Sequence, residues 1–125
     1  MQQVPDMLKE KISEFIDMIR SIEGVAACAL VSRDGIVAGK YFDRDLNEPW
    51  LGALLATILS SAESIGGIIR MKSLESIAIR APDTSVMVVG AGENFLIAAI
   101  INDKTDPVNV QSQILAVAKM IGESM

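Results

Sequence analysis

Few residues of this 125-residue chain have the types and spacing that chemistry requires. Histidine is absent, which removes the usual general base near neutral pH and the commonest metal ligand. The one cysteine, Cys28, lies inside an apolar run and reads as a small core residue rather than a nucleophile. One cysteine without histidine also leaves no set of ligands for a zinc site. Asp43-Arg44-Asp45-Leu46-Asn47 opens like a calcium-binding loop. The match fails where that geometry is strict, because Glu48 stands in place of the obligatory glycine and Leu54 in place of the bidentate glutamate. Gly90-Ala91-Gly92 begins like a dinucleotide-binding turn, but Phe95 replaces the third glycine and the segment joins two strands. There is no phosphate-cradling G-x-x-x-x-G-K-[ST] and no S-x-x-K pair. The carboxylate pairs Asp43/Asp45 and Asp103/Asp106 sit in loops, where capping and solvation account for them. The expectation is a binding protein with no catalytic, metal or cofactor-binding residue.

The elements that would carry a binding surface centre on Pro49–Gly66. Leu51, Leu54, Leu55, Ile58, Leu59, Ala62 and Ile65 recur at the spacing of a core-facing helical stripe. The remaining face reads Gly52, Ala53, Ala56, Thr57, Ser60, Ser61 and Ser64, with Glu63 as its only charge. A helix on a small domain ordinarily leaves one charged face in water, so this small-residue face predicts contact with a second protein. Before it, Asp6 caps a helix with Leu8, Ile12, Phe15, Ile19 and Ile22 inward, ended by Gly24. Val25–Val31 is an apolar strand covered on both faces, and Asp34-Gly35 turns it into the edge strand Ile36–Tyr41. Asn47 or Asp45 caps the central helix, with Pro49 in its first turn. Beyond it come an alternating edge strand, Ser76–Arg80, then Val86–Val89 and Phe95–Ile101. A last helix starts at Asp106-Pro107. Short turns predict a mainly antiparallel sheet of five strands between helices on both sides: a three-layer α/β/α sandwich in the order α-β-β-α-β-β-β-α. Edge strand Ser76–Arg80 carries one charge, Arg80, so it and the helix together predict a two-fold dimer interface.

Composition limits the partners. Half of the residues are hydrophobic, which sets the chain apart from disordered sequences and fits one domain over residues 1–125. The mean hydropathy of +0.39 points to burial by association. The net charge of −5 and the scattered Lys and Arg argue against a nucleic-acid partner. Glu63 interrupts the longest apolar helix, so membrane insertion is not expected. MQQVPDMLKEK lacks the apolar core of a signal peptide, and the single cysteine fits a cytoplasmic location.

Three stretches, GVAACALVSRDGIVAG, LGALLATILSSAESIG and SLESIAIRAPDTSVMVVGAGENFLIAAII, resemble the Roadblock family. That family includes roadblock-type dynein light chains, Ragulator scaffold subunits and bacterial MglB-type polarity regulators. The resemblance implies a profilin-like domain that forms a homodimer through the central helix and the following strand. On this chain those positions include Gly52, Ala53, Ala56, Thr57, Ser60 and Ser64, with Ser76, Ile77, Ala78, Ile79 and Arg80. It also implies a platform for a Ras-like small GTPase, without a catalytic motif or cofactor of its own. Arg33 and Arg44 are the cations expected to be exposed for a partner. The other readings are a small-molecule sensor and a structural subunit of a larger assembly.

Overall fold

The computed structural model describes residues 6–102 and 106–125. The elements are α1 (Asp6–Arg20), β1 (Val25–Ser32), β2 (Val37–Tyr41), α2 (Glu48–Ile68), β3 (Ile77–Arg80), β4 (Thr84–Ala91), β5 (Phe95–Asn102) and α3 (Pro107–Ser124). This is the predicted order. Pro5, expected just before α1, and Asp103 lie outside the described residues.

The sheet is antiparallel at every junction, in the order β2-β1-β5-β4-β3. The two strands read as edges are the edges. The apolar strands lie inside, where both faces are covered. Alternation along each strand separates two cores. Cys28, Leu30, Met87, Val89, Ile97 and Ala99 point to α1 and α3, meeting Ile12, Ile16 and Ile19 of the one and Val110, Ile114 and Ile121 of the other. Ala29, Val31, Val88, Leu96 and Ala98 point the opposite way, to Leu55 and Leu59 of α2. Among the described residues the first core holds eighteen buried side chains and the second seven, so α2 leaves its side of the sheet thinly covered.

Helix α2 starts where its capping chemistry says. The Trp50 N–H donates to Asn47 Oδ1 at 3.2 Å, and Pro49 occupies the first turn, where its missing N–H costs nothing. Its other end differs from expectation. The helix runs through Gly66-Gly67 to Ile68 and closes with Met71 N–H donating to the Gly66 carbonyl at 2.8 Å and Arg70 N–H to that of Gly67 at 3.4 Å. Arg70 holds φ +60°, the left-handed position that glycine usually fills in this type of cap.

The predicted inward stripe of α2 is rotated in the structure. Gly52, Leu55, Leu59 and Gly66 form the buried line, while Leu54 and Ile65 are 49% and 58% exposed. The physical cause is Gly52. A Cβ there would collide with the carbonyl oxygen of Gly35, itself at φ +94° in the β1–β2 turn. The glycine lets the helix backbone settle on that turn, and this contact sets the roll of the helix. A second expectation is corrected. Glu63 does end the uncharged part of α2, but with that one charge, held by Arg33, the helix is still long and apolar enough to cross a membrane by length and composition alone. In this fold it lies across the sheet with Leu55 and Leu59 buried.

Gly52→Ala should destabilise the protein by about 2 kcal/mol, the usual cost of overpacking a tight backbone contact. Urea unfolding measures it; an unchanged midpoint would mean that the turn and helix separate freely.

Candidate protein-interaction surface

The surface is built by α2, the hairpin turn beside it and the free edge of β3. Each residue of an α-helix turns about 100° from the last, so the buried line of α2 divides its exposed surface into two flanks. On the flank toward β4 and β3 lie Leu51, Leu54, Ile58 and Ile65. On the flank toward the β1–β2 turn lie Ala53, Ala56 and Ser60, which line a shallow depression with Arg33 and Asp34. Sequence reasoning treated the small-residue face and β3 as one surface. The structure places them on opposite sides of the helix.

The predicted positions fall as follows. Gly52 is buried against Gly35 within the chain. Ala53, Thr57, Ser60 and Ser64 are exposed and Ala56 is half-buried. The Thr57 hydroxyl donates back to the Ala53 carbonyl at 2.8 Å, which satisfies it inside its own helix. Ser76 and Ile77 are half-buried, and Ala78, Ile79 and Arg80 are exposed. Along β3, Ile77 and Ile79 share the α2 side of the sheet with their partners Val88 and Val86. The outer edge of β3 pairs with no strand among the described residues.

Arg33 has an internal task. Its guanidinium donates to Glu63 Oε1 and to the Gly92 carbonyl, both at 2.7 Å, and its own N–H donates to the Asn94 carbonyl at 3.0 Å. One side chain thereby ties the β1–β2 turn to α2 and to the β4–β5 turn. A Cβ on Gly90 would stand 2.9 Å from that guanidinium. Arg44 is exposed but chelated by the neighbouring Asp43 carboxylate at 3.0 and 3.2 Å, a hydrogen bond that holds the Asp43 carboxyl below its ordinary range.

Sequence reasoning missed the exposed apolar residues. Trp50, Leu54, Ile65, Ile68, Ile69, Met71 and Ile79 are all exposed along α2, its C-terminal turn and β3. Under the N-terminal half of α2 the sheet and helix stand apart around an open cavity of about 340 Å³ between Trp50, Leu54, Val86 and Ile100. The signal was present in Ile68-Ile69 directly after Gly66-Gly67, where apolar residues extend past the expected helix end.

A family model for the Roadblock/LC7 domain matches residues 11–102. The chain belongs to the Roadblock/LC7 family. No curated protein matches its sequence. Solved structures match its fold. Myxococcus xanthus MglB is 13% identical with a TM-score of 0.88, covering 99% of this chain and 93% of its own. A structure described as MglB with tetrameric arrangement is 14% identical with a TM-score of 0.84, over 96% and 91% of the two chains. Acanthamoeba castellanii profilin IB is 17% identical with a TM-score of 0.68, over 89% and 97%. The profilin-like α/β/α arrangement of this Roadblock domain is therefore the expected one.

Cys28 offers a direct check on the closed core on the other side of the sheet, under α1 and α3. It is 1% exposed, its Sγ points at the Ile16 carbonyl at 3.9 Å, and burial pushes its thiol from 9.0 up to about 11, against an opposing pull from Arg20. The folded chain therefore keeps its proton where the unfolded chain has lost it. Stability from this group is intact below pH 9 and falls as pH rises from about 9 to about 11. The urea midpoint of the parent should decline more steeply over that window than that of Cys28→Ala; equal slopes would mean the thiol is not desolvated. Arg33→Ala should cost about 1–2 kcal/mol, since it removes two hydrogen bonds from a charged donor. A loss within error in thermal unfolding would show the three segments hold without it.

Proposed function

We propose that this chain is a single Roadblock domain over residues 1–125 that acts as a homodimeric, non-enzymatic regulator or scaffold of a Ras-like small GTPase in the cytoplasm. The observation that carries the reading is the exposed apolar flank of α2 running alongside the unpaired edge of β3. Together they form one continuous surface that a monomer leaves in water, and large exposed apolar patches mark interaction sites. A second copy adds its own β3 to the edge and its own α2 to the flank. We place Leu54, Ile58, Ile65 and Ile77–Arg80 in that dimer contact.

The small-residue flank takes the other role. Ala53, Ala56, Thr57, Ser60 and Ser64, with Asp34 and Arg33 at the margin, give a low-relief surface on which a folded partner approaches the helix closely. Family membership supports a GTPase as that partner. Any effect on hydrolysis acts through the GTPase's own residues, since the sequence offers no histidine and no recognisable catalytic motif.

Two substitutions separate the faces. Ile65→Asp should convert the dimer to monomer in sedimentation equilibrium. Ala56→Arg should leave the dimer mass unchanged while weakening binding to the Ras-like GTPase by roughly tenfold or more, as a bulky charge does at the centre of an interface. Absence of binding to that GTPase in both nucleotide states would remove the regulator reading. Loss of dimer with Ala56→Arg and not with Ile65→Asp would exchange the two faces.

A further inference from the structure

Two alanines leave a hole in the α2 side of the sheet. Where the helix meets the strands, Leu55 and Leu59 pack on Val31, Val88 and Leu96. Toward the N-terminal end of α2 the inward positions are Ala29 and Ala98, direct partners across β1 and β5. The helix does not sink onto them, because Gly52 already rests on the carbonyl of Gly35. The space left over is the open cavity of about 340 Å³, walled also by Leu51, Val86 and Ile100.

The chemistry of the walls selects the occupant. They expose only apolar atoms, and the Asn47 carboxamide beside them has its Oδ1 taken by the Trp50 N–H at 3.2 Å. Water finds no partner there, whereas hydrocarbon fits. An apolar cavity of about 150 Å³ holds the six carbons of benzene, so this one takes roughly ten to twelve. Sites for polar metabolites carry placed polar groups to orient them, and an aliphatic chain needs none. Phe42, Leu46 and Trp50 frame the mouth, and the first two also line a polar depression outside it with Lys40, Arg44, Asp45 and Glu48. Lys40 is paired with Glu48 and Arg44 with Asp43, so both cations of that depression are taken and an anionic head would meet carboxylates.

We propose that this cavity binds an unbranched aliphatic chain of roughly ten carbons, with an uncharged head resting in the depression beside Lys40 and Glu48. The chain lies between α2 and the ends of β4 and β5, so it supplies cover that one helix does not. The site is independent of the GTPase reading.

Titration of the full chain with 1-decanol tests it, read by thermal unfolding and by the emission of Trp50, the only tryptophan. 1-Decanol should shift the emission to the blue and raise the melting temperature, with affinity rising about fourfold per methylene from 1-hexanol upward. Ala98→Leu fills the hole, and Ala29→Val fills it more gently should the leucine disturb folding. Each should keep the parent's far-UV circular dichroism and bind 1-decanol roughly tenfold or more weakly. An unresponsive parent would overturn the proposal. So would a folded, filled variant that responds as the parent does, since the alcohol would then sit on the exposed isoleucines. Decanoate binding as tightly as 1-decanol would overturn the uncharged head. Emission that turns blue as the parent self-associates, with no response to 1-decanol, would give the cavity to a side chain of a second copy, which overturns this inference and keeps the homodimer. A parent that binds 1-decanol while remaining monomeric at every concentration would support the site and remove the homodimer reading.

Discussion

An α-helix with its side chains is about 10 Å across, whereas five strands spaced about 4.8 Å apart make a sheet roughly twice as wide. On one side of this sheet two helices, α1 and α3, share the load, and that core is closed. On the other side α2 works alone. It covers the middle of the sheet, burying Val31 of β1, Leu96 of β5 and Val88 of β4 under Leu55 and Leu59, and leaves the edge at β3 to something else. The exposed isoleucines, the open cavity and the free strand edge all follow from this shortage of cover. The side of the sheet that is one helix short is the side on which we propose that the chain meets other proteins.

Which way the shortage falls depends on a contact between two backbones. Gly52 of α2 sits on Gly35 of the β1–β2 turn, and no other residue type fits at that distance. The contact draws the helix toward β1 and β2 and away from β3. Arg33 reinforces the same side by holding Glu63 and the Gly92 carbonyl together. With the helix anchored there, its apolar flank faces the β3 side of the sheet, and its small-residue flank looks outward over the turn.

The fold was legible in the sequence because its signals are local and redundant. Asn47-x-Pro49 marks a helix start, Asp34-Gly35 a hairpin, Asp106-Pro107 another helix start, and strands apolar throughout must be covered on both faces. The roll of α2 was not legible. Leu54 and Ile65 fit a helical stripe as well as Leu55 and Leu59 do, and only a contact made across seventeen residues, between Gly35 and Gly52, decides which of them is inside. Arg33 was misread for a similar reason. A cation at a hairpin tip looks solvent-bound until the β4–β5 turn and Glu63, far away in sequence, arrive beside it. The sequence pointed to α2 and β3 as the candidate surface, while the division of α2 into two unlike flanks required the tertiary structure.

The strand order carries a consequence for how the chain reaches this state. The central strand, β5, is the last strand to be made, and its pairing with β1 joins Val25 to Ile101. Until β5 exists, β1 has only the short β2 beside it, and α2 has almost no sheet to rest on. Hairpins of β1 with β2 and β4 with β5 close early and locally, but joining them means closing a loop through most of the molecule, the kind of step that slows folding. During synthesis the first half of the chain therefore emerges with its most apolar helix uncovered and waits for the second half. An incomplete chain in that interval exposes the same apolar helix that the proposed interface uses, and the window for wrong associations shuts only when β5 slots between β1 and β4.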